Sequence, residues 1–84
     1  MSIENLRLSS AFVLRLREYN FNNDQMISFA VNLNKHIDVL KLSELMKTGD
    51  ISFNYDTETN IFELIDPSAL MGTTHRVIKL DSIE

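Results

Sequence analysis

The chain has 84 residues, of which 44% are hydrophobic and 24% charged, a composition close to that of ordinary globular domains and unlike that of disordered chains. It contains no cysteine, which excludes disulfides and thiolate metal sites. No apolar run approaches the roughly 18 residues that a membrane-spanning helix needs. We therefore expect one soluble, cytoplasmic domain over residues 1–84 that does not enter a membrane.

Charge is distributed unevenly between the two halves of the chain. Residues 1–49 hold six basic and five acidic side chains, whereas residues 50–84 hold two basic and seven acidic ones, which gives net charges of +1 and −5. No Lys or Arg occurs between Thr48 and His75. A surface built from this stretch would repel phosphate groups, so the charge pattern disfavours nucleic acid as a partner.

The first predicted helix begins after Ser2, whose hydroxyl can cap it, and runs to about Tyr19. A helical wheel gives this segment two apolar faces. The face expected to meet the core consists of Leu8, Ala11, Phe12, Leu16 and Tyr19. The opposite face carries Ile3, Leu6, Val13 and Leu14.

The opposite face of the first helix is a candidate protein interface. So short a chain has little material with which to cover two apolar faces of one helix. Two arginines flank this face, and apolar anchors combined with Arg are typical of protein interfaces. The expected partner is another protein or a second copy of this chain. The candidate interface residues are Ile3, Leu6, Arg7, Val13 and Arg17.

A second helix is predicted to begin where Asn22 and Gln25 stand in the capping-box relation, between Phe21 and Met26 at hydrophobic-staple positions. Asn20 is expected to end the first helix in the left-handed conformation. The apolar spacing predicts that the second helix continues until near residue 41. Its apolar face comprises Met26, Phe29, Ala30, Leu33, Ile37 and Leu40.

A short third helix is predicted after Ser43, which can cap it, ending at Lys47 with Gly49 as its terminator. The alternative for this region is a short strand from Ile37 to Leu42, which periodicity over six residues does not distinguish from a helix.

The second half of the chain has the period of β-strands. Apolar and polar residues alternate from Ile51 to Asp56, and residues 61–65 form a second apolar run after a turn-forming segment, which predicts a hairpin. Residues 68–71 are predicted to form one helical turn, and residues 76–80 are a candidate third strand. The predicted fold is therefore α+β, with two to three N-terminal helices followed by an antiparallel β-hairpin and this third strand, in a winged-helix-like order.

No motif for catalysis, metal binding or a cofactor was found. His36 and His75 are far apart and lack a second ligand at helical spacing, and the carboxylates of Asp56 and Glu58 fall in a predicted turn. Residues 72–76 combine small, hydroxyl and cationic side chains but lack a phosphate-loop pattern. We expect neither an enzyme nor a cofactor-binding protein.

These observations predict a small regulatory or inhibitory protein that acts by binding another protein or by forming a homodimer. Its size and acidic second half also suit an accessory protein of a virus or mobile element. The alternative is a winged-helix-like DNA-binding regulator in which residues 41–48 form the recognition helix. Charge argues against that alternative, because the would-be recognition helix sets Glu44 against Lys41 and Lys47. The wing carries further acidic residues that would repel phosphates, namely Asp50, Asp56 and Glu58.

Overall fold

The computed structural model describes residues 8–82, which form three helices followed by a three-stranded antiparallel sheet. The predicted α+β class and the predicted order of elements are confirmed. None of the described helices has the length and apolar character needed to cross a membrane. The elements are α1 (Ser10–Arg17), α2 (Asn23–Asn34), α3 (Val39–Met46), β1 (Ser52–Asp56), β2 (Ile61–Ile65) and β3 (His75–Lys79).

Helix α1 is shorter than the sequence predicted. Ser9 has extended backbone angles (φ −69°, ψ 157°) and caps the helix by accepting the N–H of Phe12. The Ser9 N–H donates to the hydroxyl of Ser43, and its hydroxyl donates to the Ser43 carbonyl at 2.6 Å. The predicted continuous helix is thus wrong at Leu8 and Ser9, because tertiary hydrogen bonds hold this backbone extended. The proposed cap at Ser2 lies outside the described residues.

Helix α2 begins as predicted and ends earlier. The Oδ1 of Asn22 accepts the N–H of Gln25 at 2.8 Å, and the Oε1 of Gln25 accepts the N–H of Asn22 at 2.9 Å, so the capping box is formed. The predicted extension to residue 41 is wrong, because the helix ends at Asn34. The Asn34 side chain accepts the N–H of Val39 and stabilises the turn that follows.

Helix α3 is capped by Asp38, not by Ser43. The carboxylate of Asp38 accepts the N–H of Lys41 at 3.1 Å, so the helix is capped five residues before Ser43, the predicted cap. Ser43 is fully buried in the middle of α3, where its hydroxyl meets Ser9. The alternative of a strand over residues 37–42 is also wrong. Gly49 follows α3 in the left-handed conformation (φ 79°).

The three strands form a meander in which β2 pairs with both neighbours. Phe53 faces Leu64 across β1 and β2, and Phe62 faces Ile78 across β2 and β3. In the hairpin turn, the Oδ1 of Asp56 accepts the N–H groups of Glu58 and Thr59, and Asn60 has a positive φ of 61°. The hairpin and the third strand were therefore both predicted correctly.

A loop that is organised by one buried carboxylate connects β2 to β3. Asp66 is fully buried, and its oxygens accept the N–H of Leu70 at 2.8 Å and that of Met71 at 2.6 Å. Ala69 has a positive φ of 54°, so the helical turn predicted for residues 68–71 does not form. The Asp66 carboxylate instead accepts the N–H groups of Leu70 and Met71, which such a turn would have left unpaired.

The core lies between the helices and the inner face of the sheet, and aromatic rings fill its centre. Phe29 of α2 lies 5.8 Å from Phe53 and 5.0 Å from Tyr55 between ring centroids, and Phe12 of α1 lies 5.5 Å from Phe53. Phe62 packs on Phe53 at 5.1 Å. Such offset and edge-on pairs add to the free energy gained by burying the rings. This cluster holds α1 and α2 on the sheet.

Candidate protein-binding surface

The predicted interface residues within the described chain both lie on α1. Arg17 is exposed, and Val13 is partly buried at the side of α1 that faces α2. Leu14, which the wheel placed on the same side as Val13, has 62% of its surface exposed, more than any other large apolar residue described. The remaining predicted residues, Ile3, Leu6 and Arg7, lie outside the described residues.

The helix face predicted to meet the core does so. Phe12 and Leu16 are fully buried, and Leu8, Ala11 and Tyr19 pack against the core with partial exposure. The two faces of α1 are therefore distinct, because the apolar residues on the solvent side are not needed to close the core.

A shallow apolar groove of about 350 Å³ runs between α1 and α2. Its apolar lining comes from Leu8 and Val13 on one side and from Met26 and Ile27 on the other, with Asn23 at one end. Ile27 also borders a second depression, which it shares with Val31 one turn further along α2. We call these five apolar residues the α1–α2 surface: Leu8, Val13, Met26, Ile27 and Val31.

Sequence analysis missed the contribution of α2 to this surface. Ile27 and Val31 are 39% and 37% exposed and stand four residues apart, so they form a stripe that faces away from the buried Phe29 and Leu33. That spacing was readable from the sequence. It was overlooked because the wheel of α2 was used only to find the face that meets the core.

Arg15 is fixed to the sheet and does not belong to the exposed face. Its Nε and Nη2 donate to the carbonyl of Phe53 at 3.0 and 2.9 Å, and Nη2 also donates to the Asn54 side chain. Its Nη1 pairs with Glu18 at 2.6 Å. The guanidinium lies 5.4 Å from the ring centroid of Tyr19, within the range of a cation–π contact.

Among the described residues, the groups with shifted pKa values lie on the two strands of the hairpin. Hydrogen bonds from the turn backbone, first that of Glu58, lower the pKa of Asp56, while burial and then the Asp56 charge raise the pKa of Tyr55. Hydrogen bonds from His75 and then from Asn54 lower the pKa of Glu63. Each shift thus has a local structural cause.

The two histidines lie on the surface in unrelated positions. His36 is exposed in the turn after α2, and the Nε2 of His75 lies 2.9 Å from a carboxylate oxygen of Glu63 on the outer face of the sheet. Within residues 8–82 no three His, Asp or Glu side chains group as metal ligands would. In the loop of residues 72–76, the Thr73 hydroxyl donates to the carbonyl of His75.

One of the two lysines at the exposed side of α3 is paired with an acidic residue. The Nζ of Lys47 lies 3.0 Å from a carboxylate oxygen of Glu44, and both side chains are more than half exposed. Lys41 is exposed next to Leu40, which is 38% exposed. A helix that reads DNA usually presents unpaired cations to the phosphates, so the pairing of Lys47 weakens the case for α3 as a recognition helix.

No family model, curated protein or solved structure matches this chain.

Proposed function

We propose that this protein is a small non-enzymatic regulator that binds another protein, or a second copy of itself, through the α1–α2 surface. The observation that carries the proposal is the apolar groove between α1 and α2, which continues along the exposed stripe of Ile27 and Val31. A contiguous apolar surface on so small a domain is typical of a protein-binding site. Binding would act by covering a surface of the partner or by favouring one of its conformations.

The residues at the margin of this surface suit an interface. Arg17 is exposed and stands one turn after Val13 on α1, so a partner seated in the groove can reach a cation. Arginine is enriched among the residues that contribute most to binding. Arg17 takes part in no ion pair within the described residues.

Absence of an enzymatic role is part of the proposal and rests on the side chains described above. A catalytic acid or base usually shows a pKa shifted toward its task within a concave site. Here the carboxylates with shifted pKa values, Asp56 and Glu63, lie at the surface and have lowered values, which keeps them ionised.

The test compares two substitutions on the proposed surface with one elsewhere. Ile27→Glu and Val31→Glu place a carboxylate on exposed apolar positions of this surface. Leu40→Glu does the same on α3, where the added negative charge lies near the positive N-terminal end of the helix. Sedimentation velocity at micromolar concentration measures self-association, and affinity capture from the native host followed by mass spectrometry identifies other partners.

We expect Ile27→Glu and Val31→Glu to weaken the association by about tenfold or more, and Leu40→Glu to leave it unchanged. A protein that stays monomeric and whose captured partners are the same for all three variants would contradict the proposal. Binding to mixed-sequence duplex DNA that falls steeply as salt rises, and that Lys41→Glu abolishes, would instead support the DNA-binding alternative.

A further inference from the structure

We propose that the free edge of β3 binds an extended acidic segment of a partner protein, which joins the sheet as a fourth strand. This site is separate from the α1–α2 surface and does not depend on it. Adding a strand to an exposed sheet edge is a common mode of peptide recognition, in which backbone hydrogen bonds supply affinity and alternate side chains supply specificity.

The backbone of β3 presents unpaired groups along this edge. Leu80 donates its N–H to the carbonyl of Asn60 at 2.8 Å, and Thr74 accepts the N–H of Asp66 at 2.9 Å, so the even-numbered residues of this segment turn their backbone toward β2. By the alternation of an antiparallel ladder, the odd-numbered residues turn theirs outward. The outward N–H and C=O groups belong to His75, Val77 and Lys79.

Few of these outward groups have a partner. Within residues 8–82, only the carbonyl of His75 is bonded, by the Thr73 hydroxyl at 3.1 Å, and β3 is the last strand of the sheet. The N–H and C=O groups of Val77 and Lys79 therefore remain available for a further strand.

Side chains of α1 and of the turn after it cover part of the other edge of the sheet. The outward carbonyl of Phe53 accepts hydrogen bonds from Arg15, and the outward N–H of Tyr55 donates to the hydroxyl of Tyr19 at 3.0 Å. Because these two side chains occupy the β1 edge, the β3 edge is the more accessible of the two edges within residues 8–82.

Charge identifies the occupant as acidic. The only Lys and Arg residues of the strongly acidic segment 50–84 are Arg76 and Lys79, and both lie on β3, which contains no acidic residue. Opposite charges across neighbouring strands stabilise their pairing, whereas like charges oppose it. A second copy fits less well, because antiparallel self-pairing centred on Val77 would set Lys79 beside His75 of the other copy and bring two basic strands together.

The exposed side chains of β3 specify a pattern for the occupant. Val77 is 54% exposed, and it shares the outer face of the sheet with Lys79, two residues further along. In an added antiparallel strand, an acidic residue would face Lys79, a β-branched residue would face Val77 and a second acidic residue would face Arg76. Counted from the N-terminal end of the added strand, the residues that face Lys79, Val77 and Arg76 are the first, third and fourth.

The probe is a labelled synthetic peptide with the core Glu-Thr-Val-Glu-Glu, whose binding is measured by fluorescence anisotropy. One control replaces each glutamate by lysine. The other carries a methyl group on the amide nitrogen of the valine and so cannot donate to the carbonyl of Val77. Amide hydrogen exchange of Val77 and Lys79, followed by NMR with and without the acidic peptide, shows whether a strand is added.

Two pairs of protein variants match these peptides. Val77→Pro removes an outward N–H without removing a bond to β2, and Val77→Thr keeps that N–H and the β-branched shape. Lys79→Glu reverses a charge on the edge, and Lys41→Glu reverses one on α3, away from it.

We expect the acidic peptide to slow amide exchange at Val77 and Lys79, and the lysine and methylated peptides to bind about tenfold more weakly or worse. Val77→Pro and Lys79→Glu should reduce binding of the acidic peptide by a similar factor, and Val77→Thr and Lys41→Glu should not. Because the methylated peptide blocks the same ladder from the ligand side, the conclusion holds even if Val77→Pro fails to fold.

Three results would overturn the proposal. The first is no binding of the acidic peptide at millimolar concentration, which would mean that Arg76 and Lys79 only protect the edge from aggregation. The second is equal binding of the acidic and methylated peptides. The third is slow exchange at Val77 that depends on protein concentration without any peptide, which would identify a second copy as the occupant.

Discussion

Arg15 of α1 donates two hydrogen bonds, of 3.0 and 2.9 Å, to the carbonyl oxygen of Phe53 in β1, 38 residues away in the chain. This contact satisfies a backbone acceptor at the edge of the sheet and fixes the helix to the first strand. It also removes Arg15 from the set of cations that could meet a partner. Arg15 thus has a structural role, whereas Arg17 on the same helix is exposed.

Replacing Arg15 by Met should destabilise the protein while keeping the apolar part of the side chain. Hydrogen bonds that involve a charged group contribute about 1.5–3 kcal/mol each, and because the side chain is 31% exposed we expect a total loss of about 1–2 kcal/mol. Urea unfolding measures the change. Arg17→Met on the exposed side of the same helix is the control, and an equal loss for both variants would contradict this role for Arg15.

Phe29→Ala should remove a large part of the stability of the protein and lower its thermal midpoint strongly. Its ring is fully buried and contacts aromatic residues of α1, β1 and β2, and truncation of such a ring costs about 3–5 kcal/mol. Small domains have a total stability of only about 5–15 kcal/mol. Circular dichroism during thermal unfolding checks this expectation. Phe21→Ala, at a partly buried position, should lower the midpoint far less; a similar fall in both would place the core elsewhere.

Asp66→Ala should loosen the loop between β2 and β3. The substitution leaves the N–H groups of Leu70 and Met71 without their acceptor, and an unsatisfied buried donor costs about 1–3 kcal/mol. Faster amide exchange at Leu70 and Met71 would report the loss directly. Asp66→Asn keeps one acceptor oxygen and should have a smaller effect. Unchanged exchange in the alanine variant would show that the carboxylate does not organise this loop.

The contact between Glu63 and His75 should make stability depend on pH in the acid range. The pKa of Glu63 is lowered in the folded protein, mainly by its hydrogen bond with His75. The folded state therefore favours the carboxylate, and the resulting stability is present above the ordinary pKa of 4.5 and is lost as the pH falls through the lower folded value.

Urea midpoints measured from neutral pH downward test this dependence. Glu63→Gln should flatten part of the acid decline seen in the unmodified protein, and Asp81→Asn at another exposed acidic position should flatten it less. Identical pH profiles for Glu63→Gln and the unmodified protein would rule out the linkage.

Local signals in the sequence were reliable where neighbouring residues supply the partners. The capping box of Asn22 and Gln25 and the turn at Asp56 both formed as predicted, because their donors and acceptors lie within three residues of each other. The alternation after Ile51 likewise predicted a strand, since period two follows from the pleat itself. These elements needed no knowledge of the rest of the chain.

Helix ends depended on contacts that the sequence does not display. Serine is a residue type that often caps helices, but in the structure Ser43 is buried against Ser9. Asp38 caps α3 in its place. Both residues are good caps, and which one is used depends on whether α3 buries its apolar side against α1 and the sheet. The energy of that packing exceeds the difference between the two caps.

By itself the sequence determined the α+β order, the hairpin, the core face of α1 and the acidic character of the second half, because periodicity and charge are properties of the chain. Only the tertiary structure decided which edges and faces remain exposed. Arg15 and Tyr19 bind outward backbone groups of β1, whereas those of Val77 and Lys79 on β3 have no partner within residues 8–82. Exposure is a relation between distant segments, so it is fixed only when the helices pack on the sheet.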